Sequence, residues 1–184
     1  MIIQPQQYLV NDLRYIIRSA VEGDAEELSR LRVQIDGETE NLDRERGEGF
    51  IDEAGFRQII RDDSKRPGNL FLTAEAGGRI VGFSRCEGSE LKRLSHKTEF
   101  GICILKDFWG FGMGKNLLQE TINWADASSI KKITLSVLET NEKAIQLYQR
   151  FGFETEGVLK RDKLLSDGKY YHTIMMARFH VSGE

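Results

Sequence analysis

Cysteine is scarce in this sequence, and its spacing indicates neither a disulfide scaffold nor a zinc site. The 184 residues include two cysteines, and both Cys86 and Cys103 lie in apolar stretches without a paired Cys or His. Disulfide-stabilised domains and structural zinc sites use several such residues at short, recurring spacings. The sequence therefore favours a reducing compartment, and we expect a cytoplasmic protein without a metal.

Long apolar runs and an excess of positive charge are also missing. No uninterrupted apolar segment approaches the ~20 residues of a membrane span, and Met1–Val10 lacks the charged-then-apolar order of a secretory signal. The 26 Lys and Arg are balanced by 29 Asp and Glu, for a formal charge of -3. Sequence-independent contact with phosphate backbones needs a strongly basic surface. We therefore expect neither a membrane nor a nucleic acid as partner.

The composition that remains is that of one ordinary globular domain. Hydrophobic residues make up 40% of the chain and charged residues 30%, which is enough to form one core. A length of 184 residues leaves no room for a second full domain. Residues 1–13, which include Gln4, Pro5, Gln6 and Gln7, resemble a loosely held N-terminal extension. We place the domain at residues 14–180.

The order of strands and helices predicts a mixed α/β sheet with helices on both faces. A strand at Tyr15–Arg18 precedes two helices, which Asp24 and Asp52 are predicted to cap. Gly77 and Gly78 favour a hairpin, since glycine adopts the positive φ that a tight turn needs. Further strands are predicted at Thr98–Leu105, Ile133–Leu138 and Tyr170–Phe179.

A glycine-rich loop joins the strand at Thr98–Leu105 to the following helix. Gly110, Gly112 and Gly114 would let backbone N–H groups approach a ligand at a helix start, where the helix dipole favours phosphate. Alternating glycines also mark tight turns between a strand and a helix, so the loop alone leaves both interpretations open. It is not a nucleotide P-loop, because no Gly-Lys-Ser/Thr sequence closes it.

The residues beyond this loop decide between the two interpretations. They follow the pattern Asn141-x-x-Ala144-x-x-x-Tyr148-x-x-x-Gly152-Phe153. Together with the glycines, this pattern resembles the GNAT family of acyl-CoA-dependent N-acetyltransferases, and in particular its ribosomal-protein N-acetyltransferase branch. The resemblance covers Tyr15–Phe179 and implies a mixed, mostly antiparallel central sheet with helices on both faces and a splayed strand that binds acyl-CoA.

The same resemblance implies acetyl-CoA as cosubstrate and assigns residues to it. The family's glycine loop binds the pyrophosphate, which corresponds here to Gly110, Phe111, Gly112, Met113, Gly114 and Lys115. Its splayed strand holds the pantetheine by backbone hydrogen bonds, which corresponds to Ile102, Cys103 and Ile104. Asn141 resembles a coenzyme-contacting asparagine and is also a helix N-cap. Trp109 replaces the usual Arg or Gln at the first loop position.

Two catalytic roles can be assigned. Tyr148 lies on the same helix face as Asn141 and resembles the tyrosine that protonates the coenzyme A sulfur; filling the core is its alternative role. Some family members carry a glutamate at the position of Ser136, which cannot act as a base. We assign the general base to Glu99 on the preceding strand, acting directly or through water. A merely exposed strand glutamate is the alternative.

The sequence thus predicts an acetyl-CoA-dependent N-acetyltransferase that moves an acetyl group to a primary amine by direct attack in a ternary complex. The acceptor amine could belong to a protein N-terminus, a lysine or a small polyamine, and a homodimer is left open. An acidic loop would attract a cationic amine, although such loops are usually just solvated. Its six acids are Asp36, Glu38, Glu40, Asp43, Glu45 and Glu48. The alternative is a non-catalytic acyl-CoA-binding module that acts as a sensor or partner protein.

Overall fold

The computed structural model describes residues 2–180, in which twelve helices and strands of regular length follow one another in a mixed α/β order. The strands are β1 (Gln6–Val10), β2 (Leu13–Ser19), β3 (Leu70–Ala76), β4 (Arg79–Gly88), β5 (Lys97–Ile104), β6 (Lys132–Leu138), β7 (Glu154–Leu164) and β8 (Tyr170–Phe179). The α-helices are α1 (Ala25–Asp36), α2 (Glu53–Lys65), α3 (Met113–Asp126) and α4 (Glu142–Arg150).

All of these strands form one sheet, in the order β1-β2-β3-β4-β5-β6-β8-β7. The neighbours β5 and β6 are parallel, and the other neighbours are antiparallel. Two parallel strands need a long crossover connection, which α3 supplies between β5 and β6. The predicted mixed, mostly antiparallel sheet is confirmed.

Helices cover both faces of this sheet. On the face of α1 and α2, the ring of Phe56 packs against Phe71 and Phe83, with centroid distances of 6.4 and 6.5 Å. On the face of α3 and α4, Phe100 of β5 meets Tyr148 of α4 edge to face at 6.4 Å. The two surfaces are called the α1–α2 face and the α3–α4 face below.

The N-terminal segment differs from its predicted role as a loose extension. Gln6–Val10 form the edge strand β1, which pairs with β2 from Gln6 opposite Ile17 to Val10 opposite Leu13. The ring of Tyr8 stacks on Tyr15 at a centroid distance of 5.3 Å. Its hydroxyl donates a hydrogen bond to Glu120 of α3 at 2.7 Å. The segment is ordered because Tyr8 and Val10 of β1 pack against the core, which the polar composition of residues 4–7 concealed.

Local signals in the sequence account for the start of α2 and for the turn between β3 and β4. Asp52 caps α2 by accepting the N–H of Gly55 at 2.8 Å, and Gly77 and Gly78 both adopt positive φ in the hairpin between β3 and β4. Asp24 acts differently from the prediction. Its carboxylate does not cap α1 and instead accepts two hydrogen bonds from Arg18, at 2.7 and 2.9 Å.

Candidate active site

A gap opens in the middle of the sheet where β5 and β6 separate. The two strands pair only from Lys97 opposite Lys132 to Glu99 opposite Thr134. Beyond that point β5 continues along β4 to Ile104, and β6 continues along β8 to Leu138. Within residues 2–180 no other strand lies between the two separated segments. An extended ligand could therefore enter the gap and hydrogen-bond to β5 as a further strand would.

The alternation of backbone groups decides which residues of β5 face this gap. The N–H of Leu105 donates to the carbonyl of Val81 in β4, and along a strand successive residues direct these groups to opposite sides. The backbone groups of Ile102 and Ile104 therefore face the gap. Those of Cys103 face β4, so the expectation of a backbone hydrogen bond from Cys103 to pantetheine has to be revised.

The glycine loop forms the predicted turn into α3. Gly110 and Gly112 have φ values of 89° and 72°, a region that strongly favours glycine. Gly112 is the N-cap of α3 and offers no side chain to cap it, and the first turn contains no acidic residue. The free N–H groups of this turn can therefore donate hydrogen bonds to an anion, which the helix dipole also favours. Lys115 is exposed on the same turn and can add its positive charge.

This loop lies beside the end of β5. A Cβ atom on Gly114 would lie 3.6 Å from Ile104 Cδ1 and 3.9 Å from Ile102 Cδ1, so a larger side chain would push α3 away from the strand. The buried Met113 anchors the start of the helix. The carbonyl of Phe111 accepts a hydrogen bond from Tyr15 at 3.2 Å. The glycine loop therefore lies next to the end of β5 that borders the gap.

Trp109 has a structural role that the sequence did not reveal. Its indole N–H donates to the carbonyl of Ile104 at 2.9 Å, although almost half of the side chain is exposed. This hydrogen bond satisfies one of the gap-facing carbonyls and fixes the loop to the end of β5. In place of the Arg or Gln expected at this position, Trp109 thus connects the loop to the strand through one hydrogen bond.

Tyr148 lies on the α3–α4 face beside the gap. It is 7% exposed, and its ring packs against Phe100 and Phe153, at centroid distances of 6.4 and 5.8 Å. Burial, with a smaller contribution from Cys103, raises the pKa of Tyr148 to about 12. Its hydroxyl has no hydrogen-bond partner among residues 2–180. The phenol is therefore protonated at neutral pH and free to donate to a ligand.

Asn141 is the N-cap of α4, as predicted. Its side-chain oxygen accepts the N–H of Ala144 at 3.4 Å. The amide nitrogen of the same side chain has no partner in the described part of the chain. Since capping occupies only the oxygen, the nitrogen can donate to a ligand.

Glu99 lies on the α1–α2 face, at the point where β5 and β6 part. Its side chain is exposed. It lies directly opposite Thr134 of β6 on one side and opposite Glu87 of β4 on the other. Ser136 lies on the same face of the sheet, two residues beyond Thr134. Glu99 and Tyr148 thus flank the gap from opposite faces. The carboxylate of Glu99 lies on the same face as Ser136, which occupies the position of the expected glutamate.

The acidic loop between α1 and α2 uses most of its carboxylates to hold itself in place. Glu38 accepts the N–H of Lys106 at 2.8 Å, and Glu40 accepts the N–H of Ser166 at 2.9 Å. The remaining contacts are Asp36 with Arg44, Asp43 with Lys163, and Glu48 with the N–H of Glu45. The loop is therefore a bridge from α1 to the end of β5 and the β7–β8 hairpin. Most of its carboxylates therefore bind groups of the protein itself and are not unpaired charges that would attract a cationic substrate.

Residues 2–180 contain neither a metal-binding cluster nor a membrane-spanning helix. No group of three or more His, Cys, Asp or Glu side chains there is arranged to hold a metal ion. None of the helices in that range combines the length and the hydropathy needed to cross a membrane.

The sequence of this chain is similar to those of known acetyltransferases. A sequence model of the acetyltransferase (GNAT) family matches residues 36–153. The L-amino acid N-acetyltransferase AaaT of Escherichia coli is 34% identical over 114 residues, which are 61% of this chain and 70% of the relative.

Solved structures show the same fold. A GNAT-family acetyltransferase from Streptococcus pneumoniae has a TM-score of 0.87 and 28% identity, over 90% of this chain and 99% of the other. A ribosomal-protein-alanine N-acetyltransferase from Brucella melitensis has a TM-score of 0.77 and 24% identity, over 89% and 99% of the two chains. This chain belongs to the GNAT family of N-acetyltransferases.

Proposed function

We propose that the protein transfers an acetyl group from acetyl-CoA directly to a primary amine, with both substrates bound together at the gap between β5 and β6. The observation that carries this proposal is the placement of Tyr148 and Glu99 on opposite faces of the sheet beside that gap. A thioester held in the gap would have a proton donor on the side of its sulfur. The amine would approach from the other face, where a carboxylate can take its proton.

The course of the coenzyme follows from the position of the glycine loop. The pyrophosphate would bind the N-terminus of α3, which lies next to Ile104 and Ile102. The pantetheine arm would then run along β5 toward Glu99 and use the gap-facing backbone groups of Ile102. Residues 100–104 span roughly 13 Å at ~3.3 Å per residue, so the thioester would come to lie near Gly101 and within reach of Tyr148.

The reaction balances with these groups. The amine nitrogen forms a bond to the acetyl carbon while Glu99 accepts a proton from the nitrogen, directly or through water. A backbone N–H that faces the gap can stabilise the oxyanion. The carbon–sulfur bond then breaks, Tyr148 donates its proton to the sulfur, and solvent restores the proton on Tyr148. The products are the amide and free coenzyme A.

The state of Cys103 supports direct transfer over a covalent acetyl-enzyme. Its side chain is 9% exposed, and burial raises the pKa of its thiol to about 12. The thiolate is the nucleophilic form of cysteine, and almost none of it exists at neutral pH. Although Cys103 lies on the acyl-binding strand, it is therefore a poor acceptor for the acetyl group.

We expect Cys103→Ala to keep most of its turnover, with kcat within about threefold of wild type, because the side chain only fills space. Cys86→Ala is the matched control, since the Cys86 thiol is also buried and its pKa is likewise raised to about 12. Mass spectrometry of the wild-type protein after incubation with acetyl-CoA alone should find no acetyl group on Cys103. An acetyl adduct there, lost on addition of amine, would instead establish a two-step mechanism.

The anion-binding turn is tested by Gly112→Val. A Cβ atom at this position would meet Tyr15 Oη and Val10 Cγ2 at 3.7 Å, which is ordinary contact, so the damage comes from forcing a β-branched residue to a φ of 72°. Moving the N–H groups off the phosphate should weaken acetyl-CoA binding about tenfold or more, as for lost hydrogen bonds to a charged group.

Calorimetric titration with acetyl-CoA measures this effect. The matched control is Gly168→Val, which introduces a similar strain at a φ of 75° in the β7–β8 turn. The control should lose stability and keep its affinity. Equal affinities of Gly112→Val and wild type would mean that the loop is only a turn.

Turnover decides the function itself. Purified protein would be incubated with acetyl-CoA and a panel of amines that includes amino acids, peptides with free N-termini, lysine peptides and polyamines, and free thiol would be measured. We expect thiol release well above hydrolysis with at least one class of amine. Tight binding of acetyl-CoA without turnover on any amine would favour the alternative of a non-catalytic acyl-CoA-binding module.

A further inference from the structure

The hydroxyl of Tyr15 ties the glycine loop to the sheet. Tyr15 lies on β2 and is 2% exposed. Its hydroxyl oxygen lies 3.2 Å from the carbonyl oxygen of Phe111 and 2.6 Å from Asn116 Nδ2 of α3. These two contacts connect β2 both to the loop and to the first turn of α3. The proposed acetyl transfer makes no use of this hydroxyl so far.

The chemistry of the partners sets the direction of both hydrogen bonds. The amide nitrogen of Asn116 can only donate, so the hydroxyl oxygen of Tyr15 accepts its hydrogen. The carbonyl of Phe111 can only accept, so it receives the single hydroxyl proton of Tyr15. Burial raises the pKa of Tyr15, against a smaller opposing effect of the hydrogen bond from Asn116. The proton is therefore present at neutral pH.

The hydrogen bond to Phe111 orients the peptide group between Phe111 and Gly112. In a trans peptide group the carbonyl and the N–H point in opposite directions. Because the carbonyl of Phe111 points toward the buried tyrosine, the N–H of Gly112 points away from it. The next carbonyl, that of Gly112, accepts the N–H of Asn116 at 2.9 Å. Both carbonyls are thus occupied within the protein, while the N–H groups of Gly112 and Met113 have no partner among residues 2–180.

The glycines of the loop do not select this orientation by themselves. Gly110 and Gly112 have positive φ, but glycine populates positive and negative φ about equally. The Phe111–Gly112 peptide group could therefore rotate and turn its carbonyl toward a bound anion, which the carbonyl would repel. The tyrosine, in contrast, is held firmly. Its ring stacks on Tyr8 at a centroid distance of 5.3 Å, and its strand pairs with β1 on one side and β3 on the other.

We propose that Tyr15 is a positioning residue for acetyl-CoA, whose hydroxyl holds the Phe111–Gly112 peptide group so that the N–H of Gly112 points to the pyrophosphate. This proposal rests on the proposed acetyl transfer, with the pyrophosphate bound at the start of α3. Tyr15 touches none of the reacting atoms in this arrangement. Its hydroxyl therefore affects how tightly the coenzyme binds and not the rate of the chemical step.

Tyr15→Phe should weaken binding of coenzyme A about tenfold, the usual effect of one hydrogen bond to a charged group. The kcat at saturating acetyl-CoA should stay close to that of wild type. Calorimetric titration gives the Kd for coenzyme A, and release of free thiol gives kcat. A second acetyl donor, S-acetylpantetheine, has the thioester and the pantetheine arm but no pyrophosphate. Its kcat/KM should be the same in Tyr15→Phe and wild type, because the direction of the Gly112 N–H matters only for a phosphate.

Two control variants separate positioning of the loop from packing of the tyrosine. Tyr8→Phe removes the hydroxyl of the stacked neighbour, which binds Glu120. Asn116→Leu removes the donor to Tyr15 but leaves the hydroxyl proton on the Phe111 carbonyl. Both controls should keep the wild-type Kd for coenzyme A, even where the melting temperature falls as far as in Tyr15→Phe.

Three results would overturn the proposal. Tyr15→Phe could bind coenzyme A as tightly as wild type, it could lose kcat/KM equally with acetyl-CoA and S-acetylpantetheine, or either control could weaken binding to the same extent. The Kd values decide the proposal even if turnover is slow. The proposed function, in contrast, fails only if no amine is acetylated with either donor.

Discussion

Tyr148→Phe is expected to lower kcat by about 100-fold or more while the Kd for acetyl-CoA stays nearly unchanged. The phenyl ring would keep its packing against Phe100 and Phe153, so the site should retain its shape. What is lost is the hydroxyl, which has no partner among residues 2–180 and faces no competing acceptor. Steady-state release of free thiol gives kcat, and calorimetry gives the Kd.

The pH dependence gives a second test of the same role. Burial raises the pKa of Tyr148 to about 12, and the protonated phenol is the active form. That form is fully present below about pH 10, so kcat of the wild-type protein should not decline between pH 8 and 10. An unshifted tyrosine, with a pKa near 10, would already lose about half of its activity at the upper limit of this range.

Tyr8→Phe serves as the control for losing a tyrosine hydroxyl. It removes a hydrogen bond to Glu120 under α3, so it should cost stability of about 1 kcal/mol and leave kcat intact. If Tyr148→Phe behaved in the same way, with wild-type turnover and a small loss of stability, Tyr148 would be a core residue. Water would then be the source of the proton.

The sequence predicted the sheet and its helices because local patterns were strong where they mattered. Gly77 and Gly78 needed positive φ, and Asp52 needed only the N–H of Gly55 three residues away. Asp24 was misinterpreted because its carboxylate binds the side chain of Arg18 on β2 and the N–H of Val21, and not the N–H groups of α1. The strand β1 was missed since its order depends on α3, which is distant in sequence, through the contact of Tyr8 with Glu120.

For the site, the motif resemblance led to the predictions for the loop and Tyr148, but it carried no information on the electrostatics around them. Glu40 is held by Ser166 and Asp43 by Lys163, and neither pairing leaves a trace in local sequence. An acidic segment therefore gave the impression of a surface that attracts cations. The sequence also could not show that the backbone N–H and carbonyl groups of Cys103 face β4, because their direction depends on the register of β4 and β5. Residue spacing could place a residue on a strand, but it could not predict to which side of the strand the backbone hydrogen-bonding groups of that residue point.

Glu99→Gln is expected to reduce kcat by about 100-fold at neutral pH, because the amide cannot accept the proton of the attacking amine. The size of Gln is nearly that of Glu, so the exposed position should tolerate the change without a measurable loss of stability. The decisive comparison is with Glu87→Gln. Glu87 lies directly opposite Glu99 on the neighbouring strand β4, on the same face of the sheet.

Both substitutions remove one negative charge from the same surface, so a general electrostatic effect on the amine would lower kcat/KM in both variants to a similar extent. A base acts on the reacting proton, which predicts a loss of kcat in Glu99→Gln alone, measured at saturating acceptor with the free-thiol assay. The Glu87 variant should change little, since that carboxylate is already paired with Arg85 at 2.9 Å. Equal and modest losses in the two variants would remove Glu99 from the mechanism. An ordered water, or the free amine present at equilibrium, would then be left to dispose of the proton, and Tyr148 would be the sole side chain assigned to the chemical step.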